Sequence, residues 1–231
     1  MVAVVMAGGL GARMRPLTYT IPKPLLPIGE RPILEIILIQ LKRAGFTRAF
    51  ITTGYQADLV KSYFGDGSRF GVSLEYTTEP ETLGTAGAVF LLRGIVKEPF
   101  LVMNCDVLTG LDLARFYKHH LDSDAQMTVG AVNYCTEIPY GVLQVSGGLV
   151  REVVEKPRTS HLVLAGIYAM NPEVFDFHRS GRIDIPELVG LLLEAKKKVA
   201  VFEITEPWID VGRMSDYERA SNEFKHWGKT D

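Results

Sequence analysis

The chain has 231 residues, of which 47% are apolar and 23% are charged, and its formal net charge is −2. This length suffices for a full hydrophobic core without disulfides or a structural metal, and the composition excludes a disordered chain. The balance of 25 lysines and arginines against 27 aspartates and glutamates argues against a nucleic-acid partner held by bulk positive charge.

The amino terminus predicts no secretory leader, because it lacks a basic segment and its apolar run is too short. No segment approaches the ~20 apolar residues that a membrane span requires. Cys105 and Cys135 are the only cysteines and form no CxxC pair, which favours reduced thiols. We therefore expect a cytoplasmic protein with no membrane partner.

The first half of the chain predicts alternating strands and helices. An apolar strand at 2–6 runs into residues 7–30, where Gly and Pro exclude a regular helix, and so long a loop is usually functional. The next predicted elements are a helix at 31–44, a strand at 48–53, a helix at 55–64, a strand at 72–77, a helix at 84–92, a strand at 100–104 and a helix at 112–121. This alternation is typical of βαβ units and a mostly parallel sheet covered by helices.

The pattern changes after residue 125 to strands with few helices between them, which indicates an antiparallel or mixed extension. We expect strands at 127–132, 141–145, 150–155 and 163–170, a helix at 184–194, strands at 199–204 and 208–211, and a helix at 215–224. The sequence thus predicts one α/β domain over 1–231, with a larger part at about 1–125 and a smaller lobe at about 126–231.

The glycine-rich segment GGLGARMRP at 8–16 is the first candidate site. Glycines let the backbone approach a ligand closely, and successive N–H groups can hold phosphate oxygens. The segment lacks the GK[ST] of a Walker A loop, and Met14 replaces the third glycine of GxGxxG, which disfavours a dinucleotide-binding dehydrogenase. A simple tight turn is the alternative, but Arg13 and Arg15 favour an anion site.

A second candidate is Lys23, which stands between prolines in PKPLLP at 22–27. The stiff segment presents one ammonium group, and the alternative is a surface lysine in a turn. Together with Arg13 it suits a triphosphate. His119 and His120 form a metal-like pair, but helical neighbours point about 100° apart, so we expect a solvated helix end.

The segment 8–28 reads GGxGxRxxPxTxxxPKPLLPI and resembles the sugar-1-phosphate nucleotidyltransferases, the mannose-1-phosphate guanylyltransferases among them. Further matches follow in order at LGTAGA (83–88), NCD (104–106), YGV (140–142), EKP (155–157), AGIY (165–168) and WIDVG (208–212). The resemblance implies a Rossmann-like fold with an antiparallel sugar-binding lobe. It also implies the reaction of an NTP with a sugar 1-phosphate to give an NDP-sugar and pyrophosphate, with Mg²⁺.

The resemblance also implies a role for each matched residue. Arg13 and Lys23 would be catalytic cations, and Asp106 and Asp210 would share the Mg²⁺. Each aspartate follows an apolar strand, where α/β sheets place ligands, although a turn residue or helix cap is the alternative. The implied nucleotide-binding residues are Ala7, Gly8, Gly9, Gly11, Glu79, Gly84 and Thr85. Those for the sugar phosphate are Gly141, Glu155, Lys156 and Gly166.

The segment Glu79-Pro80-Glu81 gives an indication of which nucleotide base is bound. A carboxylate can accept from the paired N1–H and N2–H₂ of guanine, whereas uracil and thymine offer one N–H between two acceptors. The glutamates therefore favour GTP, with dTTP and UTP as alternatives. Either glutamate could instead pair with Arg15 or cap the next helix.

Other interpretations stay open at this point. A non-catalytic nucleotide-sugar-binding regulatory protein could share the fold. A glycosyltransferase that uses a nucleotide-sugar as its donor substrate is a second alternative, although such enzymes usually carry a DxD motif. The chain lacks the C-terminal β-helix of many relatives, so we expect a catalytic domain only. Mannose-, glucose-, glucosamine- and heptose-type phosphates remain open, as does a homo-oligomer.

Overall fold

The computed structural model describes residues 1–79 and 81–224, and within them thirteen strands and six α-helices. The strands are β1 (Val2–Ala7), β2 (Pro27–Ile28), β3 (Arg31–Pro32), β4 (Arg48–Thr53), β5 (Ser73–Thr78), β6 (Phe100–Asn104), β7 (Val107–Thr109), β8 (Met127–Glu137), β9 (Gly141–Ser146), β10 (Leu149–Glu155), β11 (Arg158–Met170), β12 (Val199–Glu203) and β13 (Trp208–Asp210). The α-helices are α1 (Ile33–Arg43), α2 (Ala57–Phe64), α3 (Gly84–Gly87), α4 (Leu113–Asp122), α5 (Ile185–Glu194) and α6 (Met214–Glu223).

A seven-stranded sheet in the order β12-β8-β11-β6-β1-β4-β5 forms the centre of this part of the chain. β1 is parallel to β4 and β6, β4 is parallel to β5, and β12 is parallel to β8. β11 lies antiparallel between β6 and β8. The sheet is therefore mixed and mostly parallel, as expected.

The register of β1 determines where the loops meet. Ala7 lies opposite Thr53 of β4, and Met6 lies opposite Asn104 of β6. Because these strands are parallel, the glycine-rich loop after β1 and the segment after β6 leave the sheet at the same edge, the usual place for ligands in such folds.

Three two-stranded antiparallel sheets complete the fold of the described residues: β9 with β10, β7 with β13, and β2 with β3. The β7–β13 pair places Asp210 opposite Val107. β9 and β10 form the small lobe expected after residue 125, together with the outer ends of β8 and β11, which pair with each other from Arg158 opposite Glu137.

Alternate side chains of the central strands face two apolar layers. Ala3 and Val5 of β1 pack in one cluster with residues of α1, α2, α4 and α6, whereas Val2 and Val4 pack in the other with residues of α3 and α5. This division follows from the period of two along a strand, and it explains why the central strands are almost continuously apolar.

Several predicted boundaries are wrong for identifiable reasons. The helix expected from residue 31 begins at Ile33, because Arg31–Pro32 pairs with Pro27–Ile28. The helix expected over 84–92 is α only at Gly84–Gly87 and continues as a 3₁₀ helix at Ala88–Leu92. β8 and β11 extend beyond their predicted ranges because their polar outer ends pair with each other.

The expectation of a solvated end for the two neighbouring histidines is wrong for His120. That ring is buried, with Nδ1 2.9 Å from Thr128 Oγ1 and Nε2 3.2 Å from Asn171 Oδ1, and burial lowers its pKa. His119 packs edge-on against Phe202. His120 is therefore a packing residue, whereas His119 is exposed at the end of α4, as expected. Separately, no helix within 1–79 and 81–224 is long and apolar enough to cross a bilayer.

Helix α1 offers a test of the core. Replacing Leu38, which is fully buried, with Ala should lower the free energy of unfolding by roughly 2–5 kcal/mol, because the change removes apolar contacts and leaves a cavity. Urea denaturation measures the loss. Leu59→Ala on α2 is the matched control. Leu59 is 48% exposed, so its replacement should lower the free energy of unfolding by less than about 1 kcal/mol. Equal losses in both variants would contradict the assigned burial.

Candidate active site

The glycine-rich loop after β1 is fixed in place by its neighbours. Gly54, at the end of β4, lies so close that a Cβ there would be 2.7 Å from the carbonyl oxygen of Gly8. On the other side, Thr18 Oγ1 donates a 2.8 Å hydrogen bond to the carbonyl of Gly11. The loop is therefore contacted from both sides at the sheet edge, by Gly54 and by Thr18.

Lys23 and Asp106 form an ion pair at this edge. Lys23 lies in a 3₁₀ turn, Lys23–Leu25, and its Nζ is 2.5 Å from Oδ2 of Asp106. The two side chains are only 12% and 23% exposed, so water screens the pair incompletely. The lysine that the sequence places between prolines is therefore part of the cluster at the sheet edge, not a free surface cation.

Asp210 lies beside Asp106. The pairing of β13 with β7 brings it there, and the N–H of Val211 donates to the carbonyl of Asp106 at 2.8 Å. Burial, and secondly the negative charge of Asp106, raise the pKa of Asp210, while Lys23 and Arg13 act in the opposite direction. The structure thus places together the two aspartates that the resemblance pairs.

Arg13 completes the cluster. A Cβ on Gly212 would lie 3.3 Å from Nη2 of Arg13 and 3.4 Å from Oδ1 of Asp210, so the guanidinium, the glycine and the carboxylate are close neighbours. Two cations and two carboxylates from distant parts of the chain thus meet at one edge of the sheet.

The two aspartates fit a hard divalent cation. Oδ1 of Asp106 and Oδ1 of Asp210 are both buried, and neither has a hydrogen-bond partner within the described residues. Such orphaned carboxylate oxygens are costly unless a cation or donor satisfies them. No group of three or more His, Cys, Asp or Glu side chains in 1–79 and 81–224 could hold a metal alone. Mg²⁺ commonly takes one or two carboxylates and completes its shell with phosphates and waters.

A cavity of about 290 Å³ opens beside this cluster. Its lining combines the glycine-rich loop, the end of β6 and the turn before α3: Met6, Gly8, Gly9, Glu79, Thr82, Gly84, Thr85, Ala88, Asn104, Asp106, Arg182 and Asp184. A smaller cavity of about 60 Å³ adjoins it, and its lining includes Ala7, Gly9, Lys23 and Asp106. The larger cavity therefore contains five of the seven residues expected to bind the nucleotide, and Ala7 lines the smaller one.

Glu79 lies inside the larger cavity. Oε2 accepts a 3.1 Å hydrogen bond from the N–H of Leu83, and Oε1 lies over Gly8, since a Cβ there would be 1.9 Å from it. Burial raises the pKa of Glu79. The carboxylate thus supports the start of α3, one of the sequence alternatives, while Arg15 lies over the ring of Tyr19. Pro80 lies outside the described residues, and Glu81 is exposed.

The residues expected to bind the sugar phosphate lie in two places. Glu155 and Gly141 are opposite each other on β10 and β9, and a Cβ on Gly141 would be 3.2 Å from Oε2 of Glu155. Lys156 follows with φ 47°, unusual for a lysine, and its N–H donates to the carbonyl of Tyr140 at 3.3 Å. Within the described residues, Asp106 forms its ion pair with Lys23 and not with Lys156.

Gly166 lies closer to the cavity. It has φ +72° at the register shift of β11, and a Cβ there would be 2.8 Å from Nδ2 of Asn104. The position requires glycine on both counts, conformation and space. It joins the strand of the small lobe to the cavity lining.

Six residues of the cavity lining are not assigned to the site from the sequence: Met6, Thr82, Ala88, Asn104, Arg182 and Asp184. Asp184 could be identified only as a helix cap, because nothing local indicates that the segment before α5 packs against the turn at 83–87. Cys105 also lies here, but burial and the charge of Asp106 raise the pKa of its thiol, which disfavours a nucleophilic role.

The pair of aspartates predicts an unusual stability effect. A raised pKa means that ionised Asp210 destabilises the folded chain at neutral pH, and that this penalty disappears as the pH falls towards 3.8. Asp210→Asn should therefore raise the melting temperature at pH 8 in the presence of a chelator, and the difference should shrink towards pH 4. Thermal melts over this range measure it.

Asp124→Asn is the control for that experiment. Asp124 is exposed, and its hydrogen bond with Lys198 lowers its pKa, so its replacement should not raise the melting temperature. A lower melting temperature of Asp210→Asn than of the wild type at pH 8 would contradict the assigned repulsion.

The sequence is similar to that of known proteins over nearly its whole length. The family model described as "Nucleotidyl transferase" matches residues 2–226. UTP–glucose-1-phosphate uridylyltransferase from Synechocystis is 31% identical, over 95% of this chain and 62% of the relative. Mannose-1-phosphate guanylyltransferase from Mycobacterium tuberculosis is 32% identical, over 95% of this chain and 63% of the relative. The chain thus spans less than two thirds of the length of these relatives.

A solved structure shares the fold. HddC from Yersinia pseudotuberculosis is 25% identical with a TM-score of 0.76, and the match covers 96% of this chain and 99% of that one. Its coverage shows that the whole architecture, including the small lobe, occurs in a known protein. Because the family model spans nearly all of the sequence, the chain belongs to the nucleotidyl transferase family.

Proposed function

We propose that this chain transfers a nucleotidyl group from an NTP to a sugar 1-phosphate, releasing an NDP-sugar and pyrophosphate. The observation that carries the proposal is the cluster at the sheet edge: Asp106 and Asp210 with orphaned buried oxygens, beside Lys23 and Arg13, at a cavity bounded by the glycine-rich loop. Relatives named as sugar-1-phosphate uridylyl- and guanylyltransferases support the same reaction class.

The reaction makes few chemical demands on the protein. An oxygen of the sugar phosphate is already anionic at neutral pH, so it attacks the α-phosphorus without a general base. The bond from that phosphorus to the bridging oxygen breaks, and pyrophosphate leaves with the electron pair. Catalysis then consists of aligning attacker and leaving group and of neutralising charge.

The cluster meets these demands. Lys23 and Arg13 supply positive charge where the phosphates gather. Lys23 needs little reorganisation because its ion pair with Asp106 holds it in place, and Arg13 lies beside Gly212 and Asp210. A bound Mg²⁺, held by the two aspartates, would add Lewis-acid stabilisation of the phosphate oxygens. The proposed backbone contacts of the nucleotide come from the loop at 7–11 and from Gly84 and Thr85.

The two parts of the chain divide the work in this proposal. Residues at about 1–125 supply most of the nucleotide site, and Arg182 and Asp184 line the same cavity. Residues from about 126 onwards hold the sugar phosphate, with Glu155 accepting from sugar hydroxyls, Lys156 on the phosphate, and Gly141 and Gly166 leaving room for the sugar. β11 supports this arrangement, since it connects the outer lobe to Asn104 in the cavity.

GTP is the proposed nucleotide. The relatives named above include both a uridylyl- and a guanylyltransferase, so the argument for GTP depends on Glu79. Its carboxylate lies in the cavity with one oxygen over Gly8, and a carboxylate can accept from the two adjacent N–H groups of guanine. A pyrimidine would face this carboxylate with a carbonyl oxygen on either side of its single N–H.

The preferred base can be tested by assaying each of the four NTPs with mannose 1-phosphate and with glucose 1-phosphate. We expect GTP to be preferred, and Glu79→Gln to lower kcat/KM for GTP by about tenfold, as for loss of a paired hydrogen bond of about 1.4 kcal/mol. Gln can still accept from Leu83, so the turn is preserved. Pyrophosphate release and mass spectrometry of the products provide the measurement.

Glu75→Gln is the control in the base experiment, because Glu75 pairs with Arg48 at an exposed site on β5, the strand that ends just before Glu79. A clear preference of the wild type for UTP or dTTP would reject the guanine argument. Nucleotide binding without pyrophosphate release from any combination would instead favour a regulatory protein of the same fold.

The catalytic cluster has its own test. Lys23→Ala and Asp106→Ala should each lower kcat by more than about tenfold while circular dichroism remains unchanged. Lys23→Ala removes a cation beside the reacting phosphates, and Asp106→Ala removes a proposed ligand of the Mg²⁺. Lys118→Ala is the matched control: this lysine is 74% exposed and pairs with Asp122 on α4. Turnover near the wild-type rate in Lys23→Ala would refute its role.

A further inference from the structure

One wall of the cavity comes from the segment just before α5. The N–H of Ile183 donates to the carbonyl of Leu83 at 2.9 Å, and the carbonyl of Ile183 accepts from the N–H groups of Ala86 and Gly87, both at 3.0 Å. Three backbone hydrogen bonds therefore join this segment to α3, which is more than ninety residues earlier in the chain.

The side chain of Asp184 adds to this connection. Oδ1 accepts from the N–H of Thr85 at 2.8 Å and from its hydroxyl at 3.2 Å, and the Thr85 hydroxyl in turn accepts from the N–H of Ile185 at 2.9 Å. Oδ2 accepts from Arg182 at 2.9 Å. The N–H of Thr85 is the main cause of a lowered pKa for Asp184, so the accepting group is ionised at neutral pH.

The turn that Asp184 contacts is weak on its own. Helix α3 comprises only Gly84–Gly87, with glycine at both ends, and so short a helix is unstable without tertiary contacts. Gly84 has φ +84°, and a Cβ there would lie 2.5 Å from the carbonyl oxygen of Ile183. The turn is thus closely packed against the segment before α5, and its geometry depends on that segment.

We propose that Asp184 is a positioning residue for the nucleotide: it holds the Gly84–Gly87 turn in its binding conformation and so sets the affinity for the NTP. The inference rests on the proposed function, since it assumes that the cavity receives the nucleotide. Asp184 acts through Thr85, because it accepts from both the N–H and the hydroxyl of Thr85.

The inference predicts an effect on binding and not on the chemical step. Asp106 and Asp210 are held by the β7–β13 pair and by the hydrogen bond from Val211, none of which involves Asp184. Loosening the turn therefore leaves the reacting groups in place. It removes preorganisation from the nucleotide site, which weakens binding.

Asp184→Ala should raise the KM for GTP by about tenfold, while kcat and the KM for the sugar phosphate stay within about twofold. Asp184→Asn should restore most of the affinity, because its carbonyl oxygen can still accept both bonds from Thr85. Asp124→Ala, which removes an exposed aspartate bound to Lys198, is the control and should change neither KM. Steady-state kinetics and titration calorimetry with GTP measure these values.

Hydrogen exchange gives a readout that does not require activity. Without nucleotide, the amides of Thr85, Ala86 and Gly87 should exchange faster in Asp184→Ala than in the wild type or Asp184→Asn. Unchanged exchange and unchanged GTP affinity would overturn the inference. So would a parallel rise of both KM values with a lower melting temperature, because that indicates a general loss of folding. If the wild type releases no pyrophosphate, the proposed reaction fails, and the exchange data still decide whether Asp184 holds the turn.

Discussion

The contact on which the rest of the site depends is the close approach of Asp106 and Asp210. Two carboxylates in a half-buried position repel each other, and burial adds a desolvation cost. The backbone nevertheless brings them together, through the β7–β13 pair and the Val211 hydrogen bond. Lys23 and Arg13 reduce the cost only in part, since one oxygen of each carboxylate has no donor among the described residues. The fold therefore keeps two mutually repelling carboxylates close together, and a bound cation would reduce this repulsion.

Other segments around the cavity are also held in place by residues that are distant in sequence. The loop after β1 is fixed from both sides, by Gly54 and by Thr18, and the turn of α3 is fixed by the segment before α5. Short segments that would be flexible alone are each held by a partner distant in sequence. Preorganisation of this kind lowers the entropy that a ligand must lose on binding.

The sequence reveals the parts of this arrangement whose signals are local. The apolar runs at 48–53 and 100–104 predict their strands to the residue, and the glycine-rich segment predicts the loop that follows β1. Pairings between distant segments leave no local signal. β7 is only three residues long, Asp184 has the pattern of a helix cap, and the aspartates can be linked only through the family resemblance. The polar outer ends of β8 and β11 likewise look like loop until they pair.

The two cysteines have different accessibility, and this has a practical consequence. Cys105 is buried next to Asp106 with a raised thiol pKa, whereas Cys135 is exposed on the outer part of β8. A thiol reagent requires both access and the thiolate, so it modifies Cys135 first. A single spectroscopic probe can therefore be attached to the small lobe of the wild-type chain without any amino-acid substitution. That probe reports on the lobe while the buried thiol beside the aspartates remains untouched.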